Sequence, residues 1–131
     1  MQYITLDGTE YKVRVVFGSL RRSFAVVEGP NSGQAITGKY IRDIIGTGYS
    51  YTMDIEPDQR FPKDYDAFYE VITAPVESHS VIMPYGQDVL EFAAAVESGE
   101  DILGPTLGGV TRWKGLSVTF TAIKPQREAI G

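Results

Sequence analysis

Residues Tyr49 to Ile55 constrain the fold more than any other stretch. Tyr49, Tyr51, Met53 and Ile55 alternate with Ser50, Thr52, Asp54 and Glu56. This unbroken period of two puts large apolar side chains on one face and polar ones on the other, as in a strand with one side buried. Pro57 ends the strand because it has no N–H for the ladder. Pro62 suits the first turn of a helix, where its missing N–H would have been unpaired. Tyr65, Phe68, Tyr69 and Ile72 then fall at i, i+3, i+4 and i+7, one apolar stripe. Pro75 disfavours the helical conformation at Ala74, so a helix is expected over about residues 62–74. Val81 to Tyr85 resumes as a strand.

The rest of the chain reads as more sheet. Asp7-Gly8 sits between alternating apolar runs, a hairpin signal that spans residues 3–17. Phe24 to Val27 reads as a strand, and Gly29 to Gly33 as a loop. Residues 35–48 fit either a strand with a bend or a long hairpin. Residues 88–97 match both periods; Tyr85-Gly86-Gln87-Asp88 looks like a hairpin turn, which favours a strand there. Gly99 to Thr111 is rich in glycine and is expected to be a surface loop. Leu116, Val118, Phe120 and Ala122 form a closing strand, and the residues from Pro125 onward read as a frayed tail. The expected fold is mainly β (α+β): a two-layer β-sandwich or barrel of about seven or eight strands. One flanking helix covers an open edge or end.

A chain of 131 residues suits a single β-rich domain, residues 1–131, with one core. No apolar run approaches the roughly 18 residues of a membrane helix, and Met1 to Thr5 has no signal-peptide pattern. The absence of cysteine removes disulfides and thiolate chemistry. A net charge of −5 argues against a nucleic-acid or anionic-membrane partner. Asp54 to Asp101 holds 12 acidic residues against two basic ones, Arg60 and Lys63, while the remainder holds ten basic and five acidic. Charged faces that serve solubility account for this. So do two surfaces of opposite sign that meet head-to-tail on neighbouring copies.

Catalytic and metal signatures are weak. His79, the single histidine, lies beside serines in sequence. Triads are assembled in space, so His79 reads as a residue at the start of a strand that bonds locally or faces solvent. Asp54, Glu56 and Asp58 have oxygen donors suited to calcium, but without EF-hand spacing they read as a solvated strand face. Gly46-Thr47-Gly48 and Gly108-Gly109 lack a phosphate-loop ending. Trp113, between Arg112 and Lys114, reads either as an interface anchor or as a plug at the start of the last strand. The expectation is a non-enzymatic protein without cofactor or metal.

Three groups of residues together resemble a known family. The first joins Ser19-Leu20-Arg21-Arg22-Ser23-Phe24 with Ile41-Arg42-Asp43-Ile44-Ile45-Gly46-Thr47. The second runs from Asp64-Tyr65-Asp66-Ala67 through Ala74-Pro75-Val76 to Ser78-His79-Ser80-Val81 and Pro84-Tyr85-Gly86. The third is Glu97-Ser98-Gly99-Glu100-Asp101 with Trp113-Lys114-Gly115-Leu116-Ser117-Val118 and Pro125-Gln126-Arg127. The set resembles small tail or minor tail proteins encoded in the tail modules of long-tailed bacteriophages and prophages. The resemblance implies a structural protein of the virion tail, partnered by itself and by other tail proteins. It further suggests an analogy with tail-tube proteins, whose β-sandwich with one flanking helix assembles in hexameric rings that stack through an extended loop. Residues 35–48 or 99–111 would correspond to that loop. On this reading Arg21, Arg22, Arg42 and Asp43 are interface residues and Trp113 an anchor. The alternative is a monomeric binding module for a glycan or a protein, with an aromatic patch drawn from Tyr49, Tyr51 and Trp113. A hydrolase built on His79 is a distant third.

Overall fold

The computed structural model describes residues 3–30, 32–34, 37–107 and 109–128. In chain order its elements are β1 (Tyr3–Leu6), β2 (Thr9–Val15), β3 (Arg21–Glu28), β4 (Gly33–Gln34), β5 (Tyr40–Ile41) and β6 (Ile44–Pro57). They continue with α1 (Pro62–Ile72), β7 (His79–Tyr85), β8 (Asp88–Ala95), β9 (Gly99–Leu107), β10 (Val110–Ala122) and β11 (Arg127–Glu128). Antiparallel pairing runs β1–β2–β6–β10–β8–β7 and returns to β1, which closes a barrel of six strands. The alternating stretch that dominates the sequence lies in the middle of β6. Its inward residues Tyr51, Met53 and Ile55 are at most 1% exposed.

β6 has 14 residues and extends well past the barrel. On one side, β2 pairs with Ile55 to Pro57 and β3 takes over from Thr52 back to Ile44. On the other side, β10 pairs with Ser50 to Ile55 and β11 with Gly46 and Thr47. The first half of β6, with β3 and β11, therefore forms a three-stranded flap at one end of the barrel. At the opposite end β9 and the start of β10 continue as a two-stranded arm beyond the β6 pairing.

Turn chemistry sets the hairpins. Asp7 and Gly8 have φ of 52° and 82°, the positive pair that a type I′ turn requires. Gly86 has φ 63° between Tyr85 and Asp88, which pair, as at the first position of a type II′ turn. Gly115 has a different role: a side chain there would come within 2.9 Å of the Ile55 carbonyl, so the register break between Trp113 and Gly115 lets β10 lie close against β6.

The helix closes the barrel end that β6 leaves. Tyr65, Phe68 and Ile72 are buried in the core, and the Phe68 ring meets Tyr11 of β2 edge-on at 5.8 Å. Asp64 fixes the start of the helix to β2 by accepting the Lys12 N–H at 2.9 Å. A buried polar tie lies between β6 and α1. Asp58 is 1% exposed; it accepts the Tyr3 hydroxyl at 3.0 Å and the Arg60 guanidinium at 2.9 and 3.1 Å.

Several expectations change. The helix stops at Ile72, not 74, because the Thr73 hydroxyl bonds back to the Tyr69 carbonyl at 2.7 Å and Pro75 excludes a further turn. Residues 99–111 are not an irregular loop but the β9–β10 hairpin. Gly109 takes the turn with φ 77° and Gly104 lies at a break in register, and an arm on which the adjacent Ile102 and Leu103 are both exposed need not alternate. Residues 88–97 hold a strand, as the turn before them implied. Of residues 35–48, Ala35 and Ile36 lie outside the described residues; the rest contains β5, which pairs with β4 just before this stretch, and the start of β6. The tail is not frayed at Arg127 and Glu128, which pair with β6; residues 129–131 lie outside the described residues. Asp58 is not part of a solvated face.

Phe68→Ala is expected to cost about 3–5 kcal/mol, read as a lower denaturant midpoint with the slope unchanged. Asp58 should make the fold acid-sensitive. Hydrogen bonds from the Arg60 side chain and backbone hold its carboxyl well below the usual range. A depressed acid contributes stability above its unfolded value near 3.9, and that contribution is lost as pH falls towards the folded value. Melting temperature should therefore drop below about pH 4, and Asp58→Asn should lower it at pH 7 while flattening that acid slope.

Candidate assembly interface

Among the described residues β3 is the one long strand exposed along its whole length; the two-residue β11 shares that exposure. All eight of its residues are exposed, and Phe24 is 71% exposed. Among the described residues it pairs with β6 alone, so its outer side is a sheet edge. Natural edge strands are commonly blunted by proline, lysine, bulges or short length. β3 has no proline or lysine and is eight residues long, and its ladder with β6 breaks register only at its end, between Val27 and Glu28. Its residues Phe24-Ala25-Val26-Val27 continue into the exposed Ile44 and Ile45 across the β6 ladder. The other long edge, β9, also exposes Ile102 and Leu103, yet it contains Pro105, which has no N–H to offer, and its pairing with β10 breaks register twice.

The face of β3 that carries Arg22 and Phe24 borders a shallow aromatic depression of about 490 Å³. Tyr49 lies opposite Phe24 on β6, and its hydroxyl is 3.0 Å from that of Tyr85, the rings edge-on at 5.4 Å. The Arg22 guanidinium lies 5.5 Å from the centre of the Tyr85 ring. The hydrogen bond with Tyr49 raises the Tyr85 hydroxyl above its ordinary value, against the opposing charges of Arg127 and Arg22. Tyr51 is buried and donates to the Pro84 carbonyl at 2.9 Å. It therefore contributes no aromatic surface to a binding patch.

The structure brings four of the five expected interface residues to this end. Arg21 and Arg22 are exposed on β3. Arg42 donates to Glu28 at 3.1 Å and so ties the β4–β5 segment to the end of β3. Asp43 serves the same junction through its backbone: its carbonyl accepts the Gly29 N–H at 2.7 Å and its N–H donates to Ser32 Oγ at 2.6 Å. Trp113 stands apart at the opposite end. It is half-buried against the core and lines a groove of about 400 Å³ with Tyr65, Asp66, Tyr69, Glu70 and Asp101. There the Tyr65 hydroxyl donates to Asp101 at 3.1 Å, and burial followed by the Asp101 charge pushes Tyr65 up.

His79 neither bonds locally nor faces solvent. It is 4% exposed and its Nδ1 lies 2.7 Å from Asp7, a residue of the β1–β2 turn. Asp7 also accepts the Ser80 N–H at 2.8 Å. Burial alone would raise the Asp7 carboxyl, but the His79 and Ser80 bonds bring it below its usual value. The pair fastens the first hairpin to β7. Among the described residues no group of acidic, histidine or cysteine side chains is arranged to hold a metal. Comparison with protein-family models and with curated proteins returns no match.

Arg42→Ala should leave global stability within about 1 kcal/mol, as for other exposed ion pairs. Amide exchange at Gly29 and Asp43 should become faster, because the junction loses one of its side-chain ties.

Proposed function

We propose that this protein is a non-enzymatic structural component of a phage or prophage tail. It self-associates, or docks on a ring of the tail or baseplate, through exposed sheet edges. The observation that carries the reading is the full exposure of β3, an eight-residue edge with an apolar centre. Such an edge is a template for pairing with another chain. The resemblance of its sequence groups to small tail proteins supplies the biological setting, assembly in the bacterial cytoplasm and residence in the virion tail. Exposed apolar side chains at both ends of the molecule suit a component that meets more than one neighbour.

A second reading rests on the depression beside β3. Tyr49, Tyr85 and Phe24 with Arg22 form the kind of aromatic and cationic surface that binds a glycan or an extended peptide. A monomer that captures such a ligand would follow from it. Light scattering across concentration and salt separates the two. The assembly reading expects a multimer, and Phe24→Asp should reduce its mass at least twofold while circular dichroism stays unchanged. A monomer under every condition would favour the binding module.

A further inference from the structure

The sequence of β3 is self-complementary in one antiparallel register. Arg22, Phe24, Val26 and Glu28 share one face by alternation. That face reads cation, apolar, apolar, anion along the strand, so the same face of a reversed copy presents the opposite sign at each end. Within one chain Arg22 and Glu28 are separated by roughly 20 Å of strand, too far to meet. Among the described residues Arg22 has no ion pair within the chain. Glu28 binds Arg42, and a carboxylate has acceptor positions for more than one guanidinium.

Backbone geometry narrows the choice of register. Opposite residues of an antiparallel pair either both direct their N–H and C=O across the ladder or both direct them away. The inner side of β3 is taken by β6, in regular register from Arg21 to Val27 with a break before Glu28, so along that ladder only alternate residues point outward. Two copies of β3 can therefore pair only with opposite residues an even number of positions apart. Arg21 opposite Glu28 fails this condition, whereas Arg22 opposite Glu28 satisfies it. The allowed register also sets Phe24 opposite Val26, Ser23 opposite Val27, and Ala25 opposite itself. A small residue thus lies where the two backbones are related by the axis.

We propose that β3 pairs antiparallel with β3 of a second copy of this chain, about a two-fold axis at Ala25. The inference rests on the reading that the protein self-associates and gives that association its first contact. The contact is isologous, so it joins two copies and stops there. β9 is left free for a different neighbour.

The chain has no cysteine, which makes cross-linking clean. In the proposed dimer the Ala25 Cα atoms are about 4.5–5.5 Å apart, inside the roughly 4.4–6.8 Å that a disulfide spans. Ala25→Cys should form a covalent dimer under mild oxidation, and Leu103→Cys on β9 should not. Arg22→Glu and Glu28→Arg should each at least halve the solution mass. Mixing the two variants should restore it, because every opposed pair is then of opposite sign. Circular dichroism of each variant checks that it is folded. A multimer that Arg22→Glu leaves intact, or an Ala25→Cys that fails to cross-link, overturns the β3 pairing and leaves self-association standing. A wild-type monomer at every concentration overturns both.

Discussion

The backbone ladder of β6 is the constraint on which the rest of the structure depends. Four strands hydrogen-bond to it: β2 and β3 along one side, β10 and β11 along the other. It closes the barrel with its second half and carries the flap with its first. Because its side chains alternate strictly, a slip of one residue would turn Tyr51, Met53 and Ile55 outward and bury Thr52 and Asp54. The core of the barrel and the exposure of β3 are therefore fixed by the same register. Local ties hold it: the Asp54 N–H donates to Ser19 Oγ at 3.1 Å, and its carboxylate accepts Ser117 Oγ at 2.7 Å.

Much of this was legible in the sequence, because the period-two pattern over Tyr49 to Ile55 and the stripe from Tyr65 to Ile72 report burial directly. The hairpin at Asp7-Gly8 was equally plain, since few dipeptides tolerate two positive φ values. β3 was legible as a strand but not as an exposed one. Phe24-Ala25-Val26-Val27 is a continuous apolar run, and such runs ordinarily mark strands covered on both faces. The only signals against burial were the charges that bracket it, Arg21 and Arg22 before and Glu28 after. The β9–β10 arm was hidden for a related reason. Backbone pairing holds it, and Ile102 and Leu103 on one strand are exposed, so no buried face imposed a period.

The polar residues were the hardest to read. Asp58 and His79 looked like ordinary surface residues, yet each is buried and bound to a partner distant in sequence: Tyr3 for Asp58 and Asp7 for His79. No local spacing announces such a pair. Both act on the first hairpin, one at its opening strand and one at its turn, and both anchor it to later parts of the chain. Several of the acidic residues in the central segment are accounted for in this way. Asp58, Asp64 and Asp101 each have an internal partner, so charge counted along the chain overstates the charge of any one surface.

The strands that flank β6 are interrupted where the barrel gives way to the flap. β2 hands over to β3 between Ile55 and Thr52, and β10 to β11 between Ser50 and Thr47. The two handovers are staggered, so β10 spans the first and β3 the second, and from Gly46 to Pro57 β6 keeps a partner on at least one side. The Tyr49–Tyr85 hydroxyl bond adds a tie between the flap and the end of β7, and contributes on the order of 1 kcal/mol. The flap is thus stitched to the barrel like overlapping courses of brick, and the ladder that sets the core also sets the direction in which the exposed edge of β3 faces.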